Sequence, residues 1–191
     1  MNNLGVVAVV AALGIAGCQE PAAVTVPEPA PAARTGLQTA EALGVAFDHA
    51  VGLQTRPCDE AMPRCVVLFD PAAEEFMRDL LTVQVFAGSL ETVAAAEAGF
   101  ERDADGRLMT TYGRFAPVAV EAFEVNGRSG LRAVVTCGIS EPETGFHAAA
   151  GECLWAVVSD GAQSVVISSS GFGNGLEAAE AAVRSVRFTA D

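Results

Sequence analysis

Three dipeptides, Asp105-Gly106, Asn126-Gly127 and Asp160-Gly161, stand between runs rich in β-branched and apolar residues. Asn-Gly and Asp-Gly readily adopt the positive φ angles of a type I′ turn, whose twist matches that of two paired antiparallel strands. A chain punctuated this way is held to an antiparallel sheet built from hairpins. Strands are expected over residues 66–69, 82–86, 100–102, 108–112, 118–125, 131–137, 154–159 and 164–169.

Helix signals are fewer. Ser89 can cap a helix over 90–98, with Glu91 near the positive dipole end and Gly99 as a left-handed stop. A second helix is expected over 176–186, rich in Ala and Glu, with Arg184 and Arg187 at the end that favours cations. Asp70-Pro71 has the form of a third helix start, an N-cap followed by proline in the first turn. The expected fold class is therefore α+β: an antiparallel sheet of about six strands with two or three helices packed on one face.

The order of these pieces resembles the PsbP/Mog1-like α/β sandwich. The resemblance rests on the apolar strand at 80–86, on Ser89-Leu90-Glu91 opening a helix, on the hairpins, and on the run from Ala178 to Phe188 as helix and short final strand. It covers the chain from about Ala46 onward. That fold has chaperone, photosystem-assembly and lipoprotein members, so it implies an architecture without fixing a function.

The N-terminus carries a different signal. Residues 4–17 are apolar and end in Leu13-Gly14-Ile15-Ala16-Gly17-Cys18. The run is shorter than the roughly 20 residues a spanning helix needs and has the length of a secretory h-region, although Met1-Asn2-Asn3 lacks the usual positive charge. Its ending resembles the lipobox of bacterial lipoproteins. That resemblance implies cleavage before Cys18, a covalent lipid on Cys18 and, from Gln19 beside it, the outer membrane, facing the periplasm. Ordinary cleavage after Ala16, leaving Cys18 as a free thiol, is the competing reading. The expected organisation is a signal peptide over 1–17, lipidated Cys18 with a disordered Pro/Ala-rich tether over 18–39, and one globular domain over 40–191. An extended tether at about 3.1 Å per residue would reach roughly 50 Å from the bilayer.

With 24 acidic and 11 basic residues the net charge is -13, which disfavours nucleic acid and anionic lipid as partners and admits a cationic one. Every basic residue is Arg. The absence of lysine removes a Schiff-base lysine, the P-loop lysine and the Ser-x-x-Lys acyl-enzyme pair.

Four further cysteines, Cys58, Cys65, Cys137 and Cys153, read as a disulfide framework in an exported chain. Alternation puts Cys137 on a face with Leu131, Ala133 and Val135, and Cys153 on a face with Trp155 and Val157. If those strands pair across a loop over 138–152, the bridges are Cys137–Cys153 and Cys58–Cys65. Neither pair has zinc-knuckle or Cys-x-x-Cys redox spacing.

Catalytic signals are sparse. His147 could serve Ser170 as a base, but no Gly-x-Ser-x-Gly elbow surrounds that serine. Asp48-His49 is a lone pair, and Asp103-Ala104-Asp105-Gly106 lacks the third oxygen of a calcium loop. Gly171-Phe172-Gly173-Asn174-Gly175 sits where a strand gives way to a helix and is a candidate contact loop for a ligand or partner, although it fails the dinucleotide pattern at Leu176. No catalytic residue, metal site or cofactor beyond the lipid on Cys18 is assigned. The expected function is a non-enzymatic envelope lipoprotein that binds another envelope protein, as an immunity or assembly factor. The alternatives are a periplasmic carrier of a small apolar or anionic ligand and, third, a hydrolase.

Overall fold

A computed structural model describes residues 36–113, 115–141 and 146–189, without the side chains of 139–141 and 146–150. Cys18, Gln19 and the leader lie outside the described residues. In chain order the elements are β1 (Leu37–Ala42), β2 (Val45–Ala50), β3 (Gln54–Pro57), β4 (Cys65–Phe69), a 3-10 turn (Glu75–Met77), β5 (Asp79–Ala87), α1 (Leu90–Ala98), β6 (Glu101–Arg102), β7 (Leu108–Thr110), β8 (Val118–Ala119), β9 (Glu121–Val125), β10 (Arg128–Glu141), β11 (Phe146–Ser159), β12 (Gln163–Ser169), α2 (Gly175–Ser185) and β13 (Arg187–Phe188).

The architecture departs from the expected one. Instead of one sheet of about six strands with helices on a single face, the strands form three sheets and the described residues contain only two α-helices. A seven-stranded antiparallel sheet, ordered β3-β4-β5-β12-β11-β10-β9, is flanked by three-stranded sheets β1-β2-β13 and β6-β7-β8. Alternation along the central strands makes two cores. Leu81, Val83, Val85, Leu154, Ala156, Val158, Val165 and Ile167 face Val45 and Phe47 of β2 and Ala178, Ala179, Ala182 and Val183 of α2. The opposite side chains, Ala133, Val135, Cys137, Cys153, Val157 and Val166, meet Val93, Ala94 and Ala98 of α1 and Phe100. The helices therefore cover opposite faces of a predominantly β protein.

Local chemistry explains the departures. Asp70 does not start a helix, because its carboxylate accepts the N–H of Ala72 at 2.9 Å in a tight turn. Only the 3-10 turn fits before β5 begins at Asp79. The strand expected over 118–125 is two strands in different sheets, divided at Val120, whose N–H turns to Leu108 O. The β1–β2 hairpin went unread because its turn is Leu43-Gly44, with φ of 60° and 81°, where Asn-Gly is the usual signal. Its first strand opens at Leu37, within the stretch assigned to the tether.

All three turn dipeptides join paired strands. Asn126 and Gly127, at φ 50° and 72°, form the two-residue link between Val125 and Arg128. Asn126 Nδ2 also donates to Val186 O at 3.0 Å, so the turn caps the end of α2. Asp105-Gly106 lies in the five-residue loop between Arg102 and Leu108, where Gly106 N–H donates to Asp103 O and Gly106 has φ 79°. At Asp160-Gly161 three residues link Ser159 to Gln163, and the Asp160 carboxylate accepts the N–H groups of Ala162 and Gln163, each at 2.9 Å.

The N–H of Gln163 is the main reason the Asp160 carboxyl sits below its ordinary pKa, ahead of an opposing effect of burial and a further lowering by Ala162. A carboxylate depressed on folding adds stability above its unfolded value of about 4 and loses it as pH falls through the folded value. Asp160→Asn is thus expected to be less stable than the parent near neutral pH, with the gap closing in acid. Urea midpoints measured at about pH 7 and about pH 2 check this; a gap of equal size at both would rule it out.

Candidate functional site

The register of the central sheet lines up one rung of side chains, Arg56, Val67, Thr82, Ser168, Trp155 and Ala133, from six successive strands. All six point to the face that α1 and the sheet β6-β7-β8 cover only in part. Helix α1 packs against β10, β11 and β12. The floor formed by β4, β5 and β12 stays open, walled on the far side by the loop that the Cys58–Cys65 disulfide closes.

The result is a continuous cleft. One part, of about 330 Å³, is lined by Arg56, Asp59, Met62, Val67, Asp79, Thr82 and the run Ser168 to Ser170. The other, of about 230 Å³, shares Met62, Thr82, Ser168 and Ser169 and adds Gln84, Phe86, Glu97, Ala98, Trp155 and Val166. On the floor, Thr82 Oγ1 and Ser168 Oγ are hydrogen-bonded at 2.7 Å. Arg56 is held at one end by Asp79 Oδ2 at 2.6 Å and stands 5.9 Å over the Phe69 ring. Trp155 is braced edge-to-face by Tyr112, with centroids 5.5 Å apart, and the Tyr112 hydroxyl donates to Gly138 O at 2.9 Å. A braced indole beside hydroxyls and the thioether of Met62, 41% exposed, gives the cleft a mixed aromatic, polar and apolar lining.

The residues singled out from sequence fall in several places. Both disulfides form as paired, with Cα separations of 5.3 Å for Cys58–Cys65 and 5.8 Å for Cys137–Cys153. Residues 138–141 and 146–152 of the expected loop are instead the continuation of β10 and β11, and Cys137 faces Gly151, diagonal to Cys153. The first bridge shapes the cleft wall, while Cys137 and Cys153 belong to the core beneath α1.

The segment Gly171 to Gly175 leaves the end of the cleft directly after Ser170. Phe172 meets the exposed Phe76 edge-to-face at 6.3 Å. Gly175 serves close packing, since a Cβ there would lie 2.5 Å from Ser170 O, and Gly151 of β11 approaches the segment so closely that its Cβ would lie 2.7 Å from Gly171 O. Asn174 precedes α2 without a side-chain capping bond.

His49 is buried, with Nδ1 3.1 Å from Ala50 O, whereas Asp48 receives the Thr39 hydroxyl at 2.7 Å. Asp103 is engaged by Arg107 and Glu121 by Arg132. The His147 side chain lies outside the described residues, as does Cys18. No group of three or more His, Cys, Asp or Glu side chains placed to hold a metal occurs among the described residues. Thr82, Ser168, Met62 and Trp155 were not singled out as a site, although Trp155 had already been placed on one strand face with Cys153.

No family model matches the chain. No curated protein matches it either. Solved structures similar to it include a crystal structure of a protein from Bacteroides thetaiotaomicron VPI-5482, 8% identical, with a TM-score of 0.45 over 78% of this chain and 46% of that one. This chain thus spans less than half of that protein's length. They also include the solution structure of cyanobacterial PsbP (CyanoP) from Synechocystis sp. PCC 6803, 13% identical, with a TM-score of 0.47 over 80% of this chain and 92% of that one. At TM-scores this low the likeness does not establish a shared fold.

Proposed function

We propose that this chain is a lipid-anchored protein of the bacterial envelope, attached to the outer membrane through Cys18, that acts as a protein-binding module in the manner of an immunity or assembly factor. The cleft across β4, β5, β12 and β11 is its binding surface. One observation carries the choice of a protein over a small ligand: the cleft is open, and hydroxyls, an amide and an ion pair stand among its apolar side chains. Sites for small molecules are typically concave and bury most of the ligand, whereas protein contacts combine aromatic anchors with a polar surround. The lipobox and the Pro/Ala-rich stretch support display of the domain at a membrane surface.

The test is crosslinking in intact envelopes. A photoreactive residue in place of Met62 or of Gln84 is expected to trap the same protein from both positions, and not from Glu177 on α2 at the opposite face. Crosslinks no different from those at Glu177 would sink the assignment of the cleft. Mass spectrometry of the mature chain tests the anchor separately: diacylglyceryl mass on Cys18 is expected, and an unmodified chain beginning at Gly17 excludes it.

A further inference from the structure

We infer that the segment held in the cleft is extended and basic, with an arginine or lysine stacked on Trp155 and its cations drawn to Glu97 and Asp59. This rests on the protein-binding reading above and specifies the chemistry of its partner. Among the described residues Arg56 is the only cation lining the cleft, and it is paired with Asp79. Asp59 stands on the disulfide-closed loop and Glu97 on α1, so the two opposing walls each carry a carboxylate, and neither is in an ion pair among the described residues.

Trp155 lines the same part of the cleft as Glu97 and Met62, and an indole face is the preferred aromatic partner for a cation. The floor crosses four strands, β4, β5, β12 and β11, a span of about 14 Å at the usual strand spacing, which about four or five extended residues match. Thr82 and Ser168 offer hydroxyls to the backbone of such a segment.

Trp155 is the only tryptophan in the chain, so its emission reports the cleft alone. The probes are two synthetic nine-residue peptides, one alternating arginine with leucine and one alternating glutamate with leucine, titrated into the mature full-length protein at low ionic strength. Saturable change in Trp155 emission is expected with the arginine peptide and none with the glutamate peptide. The double variant Asp59→Asn, Glu97→Gln is expected to weaken binding about tenfold, since each rim charge contributes modestly. Glu41→Gln with Glu177→Gln, which removes two charges from the other side, is expected to leave affinity unchanged.

No saturation, an equal response to the glutamate peptide, or equal losses in the two double variants would overturn the inference. Crosslinking that still traps a partner from Met62 and Gln84 would then leave the protein-binding reading standing without its basic ligand. Arginine-peptide binding with no cleft-specific crosslink would separate the two in the opposite sense.

Discussion

Gly175→Ala is expected to destabilise the fold by about 3 kcal/mol, although helix propensity alone favours the change. Alanine exceeds glycine by about 1 kcal/mol inside a helix, so a reading that counts only α2 predicts a gain. Packing gives the opposite sign. The added Cβ would stand 2.5 Å from Ser170 O and 2.8 Å from Leu80 O, and both obstacles are backbone. Neither can swing aside as a side-chain tip could, so α2 must move off β5 and β12, at the upper end of the usual cost of overpacking. Because Ser170 lines the cleft, the arginine-peptide affinity should fall with stability. Urea denaturation decides the case, and a variant as stable as the parent would show that the approach of α2 to Leu80 is not tight.

Removing the Cys137–Cys153 bridge, by alanine at both positions, is expected to cost about 3 kcal/mol by the chain-entropy relation for a loop of this length. The melting temperature should fall by roughly 6 to 12 °C for a domain of this size. Both sulfurs belong to residues buried at 3% exposure against α1, so their loss also thins the core. Removing Cys58–Cys65 should act differently. That loop is short and its residues 59–64 are exposed, so stability should fall less. Binding should suffer more, because Asp59 and Met62 lose the clasp that makes them a wall. Equal effects on stability and on peptide affinity from the two double variants would contradict this division of labour.

Much of the local structure was legible. Helix α1 runs between Ser89, whose hydroxyl accepts the Thr92 N–H, and Gly99 at φ 61°, as its capping residues require. Strand alternation put Cys137 and Cys153 beside one apolar layer, because a period of two fixes which side chains share a face, and Cys58–Cys65 followed as the remaining pair. The sheets were less legible. Strands β1 and β3 are mostly exposed, β6 and β8 have two residues each, and the Asp70-Pro71 signal was spent on a turn. The cleft was unreadable for another reason. Its floor joins Thr82 to Ser168, 86 residues apart, a contact set by strand order, and no local pattern records that order.

The central sheet ends at β3 on one side and β9 on the other, and both outer strands resist recruitment. Pro57 in β3 has no N–H to offer a further strand. Strand β9 carries exposed Glu121 and Glu124, so a second copy approaching edge to edge would bring like charges together. The proposed lipid on Cys18 would confine the chain to two dimensions at high local density, where an unprotected edge invites pairing between neighbours. The two protected edges oppose strand-to-strand pairing between copies held that close.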